Sequence, residues 1–125
     1  MVTKTEGRYA AGFVLSEAAG ARSRDNGVLV TGQDLKAGQV LMDNGAGKLT
    51  AFTVTENSDG SLETEAKGIL LYNVDATSAD VEVSYFARDG EVNLNELTYP
   101  EETSEGGEEA HTIASLALLG IIARQ

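Results

Sequence analysis

The stretch Val40-Leu41-Met42-Asp43-Asn44-Gly45-Ala46-Gly47-Lys48-Leu49-Thr50 carries the decisive local pattern in this chain. An apolar run is followed by five residues rich in Asp, Asn and Gly, and then by a segment through Thr55 with alternating apolar positions. Small polar residues and glycines reverse a chain cheaply, and apolar residues that alternate on either side suit a half-buried pair of strands. The pattern predicts a β-hairpin.

Working outward, the same grammar recurs. Asp25-Asn26-Gly27 reads as a turn ahead of a strand at Val28-Leu29-Val30-Thr31, and Asn57-Ser58-Asp59-Gly60 reads as a further turn. Gly68 to Tyr72 reads as a buried strand, and Asp75 to Asp80 as a loop. Val81-Glu82-Val83-Ser84-Tyr85 alternates, which places the valines and Tyr85 on one face and Glu82 and Ser84 on the other. Asp89-Gly90 turns the chain into Glu91-Val92. Asn93 with Glu96 forms a loose capping pair for one helical turn that Pro100 ends. Residues 101–109 are acidic and glycine-containing, which suits a solvated loop. From Ala110 the positions Ile113, Leu116, Ala117 and Gly120 fall at helical spacing, with Glu108 and Glu109 at the end where the helix dipole favours negative charge. Gly120 stands as the break, and Ile121-Ile122-Ala123 returns as a last strand.

The first 26 residues differ in composition. They are small and polar apart from the cluster Phe13-Val14-Leu15. Lys4, Arg8, Arg22 and Arg24 against Glu6 and Glu17 give residues 1–24 a net charge of +2, within a chain whose net charge is −11. Two readings stay open. The segment is an extended arm that adds a strand to a partner's sheet edge, or it is the first strand of the domain's own sheet. The domain division follows the first reading: an arm over 1–26 and a β-rich domain over 27–125.

Composition narrows the function. The 125 residues suit one domain with a modest core. The absence of cysteine excludes disulfides, thiolate metal sites and cysteine nucleophiles, and it fits folding in a reducing cytoplasm. No apolar run approaches the roughly 20 residues of a membrane span, and Gly12, Glu17 and Gly20 interrupt any signal-peptide core. The acidic balance disfavours nucleic acid and anionic membranes as partners. Gly45-Ala46-Gly47-Lys48 is no phosphate loop, because Met42 stands where its first glycine belongs and Leu49 where Ser or Thr would hold magnesium. Residues 55–66 fail as a calcium loop at both ends, with Thr55 at the first ligand position and Ala66 at the bidentate one. The single histidine, His111, reads as a surface helix residue. Neither cofactor nor metal is expected. A binding or structural role is favoured over an enzyme, with a small β-rich ligand-binding or adhesion module as the alternative.

Several runs, in order, resemble the lambda-type head decoration proteins of tailed phages. They are Asp34-Leu35-Lys36-Ala37-Gly38-Gln39-Val40-Leu41, Gly47-Lys48-Leu49-Thr50, Gly68-Ile69-Leu70-Leu71, Val74-Asp75-Ala76-Thr77, Val81 to Phe86, Asp89-Gly90-Glu91-Val92 and Asn95-Glu96-Leu97-Thr98-Tyr99-Pro100. The resemblance covers about residues 12–125. It implies a mostly β, compact β-clip-like domain with a short C-terminal helix and an extended N-terminal arm. It implies a homotrimer at three-fold and quasi-three-fold sites on the outer surface of the expanded head, cementing neighbouring copies of the major capsid protein. Assembly would take place in the host cytoplasm. Tyr9, Phe13, Val14 and Leu15 are then the expected capsid-binding residues of the arm, and Tyr99 and Pro100 the expected trimer or capsid contacts. Tyr99-Pro100 stands where the lambda member has Trp-Pro, and the acidic loop is more highly charged.

Overall fold

The computed structural model describes residues 11–54, 64–100 and 107–125. The fold is mostly β with one short C-terminal helix, as the sequence predicts. The strands are β1 (Val14–Glu17), β2 (Arg24–Leu29), β3 (Gln33–Leu35), β4 (Val40–Asp43), β5 (Leu49–Ala51), β6 (Gly68–Leu70), β7 (Val74–Ala76), β8 (Val81–Phe86), β9 (Gly90–Asn93) and β10 (Ile121–Arg124). A 3-10 turn, Leu94–Glu96, follows β9, and helix α1 (Glu108–Ala117) precedes β10.

The hairpin that opened the sequence reading forms as β4 and β5, with Leu41 opposite Ala51 and Asp43 opposite Leu49. Its turn is closed from within. The Asp43 carboxylate accepts from Gly45 N at 2.7 Å, and the Asn44 amide oxygen accepts from Ala46 N at 2.9 Å. Short polar side chains that bond their own backbone make such a turn self-supporting. The hairpin belongs to a closed barrel of order β2-β5-β4-β6-β8. Leu29, Leu41, Leu49, Leu70, Val83 and Tyr85 form its apolar interior. Strand β8 alternates as expected: Val83 and Tyr85 are buried, Glu82 exposed and Ser84 half-buried.

A second core lies between the barrel and a three-stranded sheet of order β1-β9-β10, with α1 packed against β10. Phe13, Phe86, Val92, Leu94, Leu116 and Ile121 belong to it, all nearly free of solvent contact. The 3-10 turn is capped as the Asn93 pattern suggests, with the Asn93 side-chain oxygen accepting from Asn95 N at 3.0 Å. Helix α1 carries Glu108 and Glu109 in its first turn, and Gly120 takes a left-handed φ of 80° on the way into β10.

Two readings of the sequence are corrected. Asp25-Asn26-Gly27 is not a turn. It lies within β2, paired with Tyr85, Ser84 and Val83 of β8. Gly27 is needed for space instead: a Cβ there would stand 2.9 Å from Leu49 Cδ1 and 3.2 Å from Tyr85 Cε1. The strand therefore starts earlier than expected and ends at Leu29, although Val30 N still donates to Leu49 O. The segment from Asp75 is likewise not wholly loop, because β7 pairs antiparallel with β3, Asp75 opposite Asp34. Only three residues long and with polar Asp75 at its centre, this strand has too little alternation to announce itself. The turn read at Asn57–Gly60 lies outside the described residues.

Candidate functional site

The N-terminal cluster Phe13-Val14-Leu15 divides its three side chains between different tasks. Phe13 is 2% exposed and meets Phe86 edge-to-face, with ring centroids 6.3 Å apart at 80°. Its carbonyl accepts from Asn93 N at 2.8 Å, just ahead of β1. Val14 is half-buried, lies opposite Val92 and packs against the second core. At that point the ladder slips. Val14 opposes Val92 but Ser16 opposes Glu91, which leaves Leu15 as the extra residue of a bulge. A bulge re-aims a side chain and twists an edge, and Leu15 is 55% exposed. Val14–Glu17 is thus a strand of the chain's own sheet, the second of the two readings the sequence left open for this segment. Tyr9 lies outside the described residues.

Strand β1 is one of the two outer strands of its sheet, β10 being the other. Across that sheet a polar row ties both ends of the chain to the middle. Glu91 of β9 accepts from Ser16 Oγ at 2.9 Å and from Arg124 Nε of β10. The Ser16 hydroxyl first, and the Arg124 guanidinium second, hold the Glu91 carboxyl below its ordinary pKa. Ile122 stands opposite Glu91 on the other side and is 45% exposed. Glu17, at the end of β1, takes both Nε and Nη2 of Arg24 at 3.0 Å, a two-point pair that raises the Arg24 pKa. The resulting surface has apolar Leu15 and Ile122 at either side of a Ser16-Glu91-Arg124 bridge, next to an open strand edge.

The tightness of this sheet comes from Gly90. A Cβ there would fall 2.3 Å from Phe86 Cζ and 2.5 Å from Ser16 O, so only glycine lets β1 lie so close to β9. Ser23 fastens the chain after β1. Fully buried, its hydroxyl accepts from Ala18 N and donates to Asp89 O, both at 2.9 Å.

Tyr99 and Pro100, the other residues singled out from sequence, are carried by a different element. They follow the 3-10 turn, beyond the point where Thr98 N donates to Gly38 O and Thr98 O accepts from Val40 N. Both are half-buried, and Tyr99 packs against the second core; the bond between them is trans. Sequence reasoning did not find Ser16, Glu91, Ile122 or Arg124 as partners. In the sequence Glu91 reads only as the residue after the Asp89-Gly90 turn, and nothing in a sequence brings residues 16, 91 and 124 together. His111 is half-buried rather than a plain surface residue: its ring bonds Thr64 O and stacks near Phe52 at 6.1 Å. Among the described residues no group of three or more His, Cys, Asp or Glu is placed to hold a metal ion, and no helix is long and apolar enough to cross a membrane.

An open strand edge beside exposed apolar side chains suits contact with another protein surface. The family model described as bacteriophage lambda head decoration protein D matches residues 3–121, nearly the whole chain, and the chain belongs to that family. No curated protein matches it significantly. Membership makes it a structural component of the phage capsid, a role that is not enzymatic.

Proposed function

We propose that the chain binds the outside of the expanded head as a homotrimer at three-fold and quasi-three-fold sites. There it cements neighbouring copies of the major capsid protein against the pressure of packaged DNA. The observation that carries this reading is the family match over residues 3–121. The surface at β1, β9 and β10 supports it physically. Leu15 and Ile122 present apolar area that gains from being covered, and the outer edge of β1 offers main-chain groups to an added strand. Tyr9 would serve contact with the shell, and Tyr99 and Pro100 would serve contacts between subunits or with the shell.

Co-sedimentation with expanded and unexpanded shells tests this. The wild-type chain should pellet with expanded shells only, while Leu15→Asp and Ile122→Asp should bind at least tenfold more weakly with the fold intact by circular dichroism. Equal binding by all three chains would remove this face from the contact. A chain that binds neither kind of shell would end the reading.

A further inference from the structure

The tripeptide Asp-Asn-Gly occurs twice in this chain, as Asp25-Asn26-Gly27 and as Asp43-Asn44-Gly45. The fold treats the two copies differently. The first lies inside β2, with Asn26 opposite Ser84 and Gly27 opposite Val83 of β8. Its Asp25 carboxylate is engaged by the Arg88 guanidinium, and its Asn26 side-chain oxygen accepts from the Ser84 hydroxyl at 2.8 Å. A paired strand holds its backbone extended, which keeps the Gly27 nitrogen from swinging toward the Asn26 side chain. The second copy lies in the exposed turn between β4 and β5. There the Asn44 side-chain oxygen accepts two main-chain bonds, from Ala46 N at 2.9 Å and from Lys48 N at 3.2 Å. The Gly45 N–H is donated to the Asp43 carboxylate at 2.7 Å, which also accepts from Gly47 N at 3.4 Å. Gly45 has a left-handed φ of 91° and open space where a Cβ would stand.

We propose that Asn44 is a self-modifying position, where Gly45 N attacks Asn44 Cγ and the side chain loses ammonia to become a carboxylate. The nucleophile and the carbonyl belong to adjacent residues, so proximity is built in. An amide nitrogen is a nucleophile only without its proton, and the Asp43 carboxylate is the base that takes it. As the bond from Gly45 N to Asn44 Cγ forms, negative charge collects on Asn44 Oδ1. The N–H groups of Ala46 and Lys48 already point at that oxygen, as donors that stabilise a developing oxyanion. Collapse of the tetrahedral carbon breaks the Cγ–Nδ2 bond, and Nδ2 leaves as ammonia with the proton that Asp43 took. Asn44 is exposed, so the ammonia departs into water. The product is a cyclic imide, which water opens at either carbonyl. Addition at Cγ gives an aspartyl residue. Addition at the main-chain carbonyl gives an isoaspartyl residue, whose backbone runs through Cγ. Nothing is oxidised or reduced. Either product adds one negative charge to a chain of net charge −11 and places it beside Asp43 on the hairpin turn. The strand copy lacks each of these provisions, because Asp25 is held by Arg88 and Asn26 has no such pair of main-chain donors.

Peptide mapping by mass spectrometry tests this on the full folded chain, incubated in mildly alkaline buffer. The readout is the mass gain of an amide turned acid at each Asn, with the isoaspartyl product resolved by its separate elution. Asn44 should convert at least tenfold faster than Asn26 in the same molecules, a comparison that needs no variant. In the urea-unfolded chain the two rates should converge, because the tripeptides are the same. Asp43→Asn keeps an oxygen acceptor for Gly45 N but removes the base, and it should slow Asn44 severalfold, with the fold checked by circular dichroism. Equal rates at Asn44 and Asn26 in the folded chain, or an Asn44 that keeps its amide, would overturn the proposal. A preference for Asn44 that persists unchanged in urea would also overturn it, since the turn would then contribute nothing. A rate that Asp43→Asn leaves unchanged would overturn the carboxylate's part as base.

Discussion

Replacing Phe13 by Ala separates a packed first strand from a free arm. In the fold, Phe13 is 2% exposed, faces Phe86 across 6.3 Å and shares a core with Val92, Leu116 and Ile121. A buried Phe removes about 150–250 Å² from water, worth about 4–6 kcal/mol at about 25 cal/mol per Å². Alanine keeps part of that, and the cavity left behind adds a penalty, so Phe→Ala substitutions in cores cost about 3–5 kcal/mol. The strand here lies at a sheet edge, with only half-buried Ala11 and Val14 beside Phe13, so local collapse should hold the loss near about 3 kcal/mol. For a domain of this size that corresponds to a fall in Tm of roughly 10 °C. Urea unfolding at fixed protein concentration, followed by far-UV circular dichroism, reads it directly. Leu15→Ala is the matched control: at 55% exposed it should change stability by less than about 0.5 kcal/mol. If Phe13→Ala also cost under about 1 kcal/mol with an unchanged slope, Phe13 would not be packed in solution, and residues 11–17 would behave as the free arm.

Gly90→Ala should destabilise by about 1–3 kcal/mol through overpacking against Phe86 and the Ser16 carbonyl, seen as a lower urea midpoint. Ser23→Ala leaves Ala18 N and Asp89 O without their buried hydroxyl partner and should cost about 1–3 kcal/mol in the same assay. The carboxyls of Asp75, Asp80 and Glu91 all sit below their ordinary pKa, through bonds from Thr77, Lys48 and Ser16 respectively. A folded-state pKa below the unfolded one gives stability that is complete above the unfolded value, about 4, and is lost as pH falls through the folded value. Thermal melts should therefore be flat from neutral pH down to about pH 5 and drop below it, and Glu91→Gln should make that drop shallower.

Much of the fold was legible because its signals are local. The β4–β5 hairpin, the alternation of β8, the Asn93 cap and the start of α1 each depend on residues a few positions apart. The misreadings have non-local causes. Asp25-Asn26-Gly27 has the composition of a turn, yet six residues of β8 pair with β2, and the glycine answers to Leu49 and Tyr85 across the barrel rather than to a reversal. The segment at Phe13 was ambiguous for the same reason: its partner strand β9 is more than seventy residues away, and Ser16 meets Glu91 only once the sheet closes. The candidate surface was legible in half. Leu15 stood with Tyr9, Phe13 and Val14 among the expected capsid-binding residues of the arm, but Ile122 and the Glu91-Arg124 bridge depend on the parallel pairing of β10 with β9, which no short motif announces.

The most direct measurement is a density map of expanded shells of a cognate phage head incubated with the full chain. Ordered three-fold density is expected on the outer surface, three copies to each site, with the β1 edge, Leu15 and Ile122 against the shell. Shells that carry no ordered density, or single copies placed away from the three-fold positions, would contradict it.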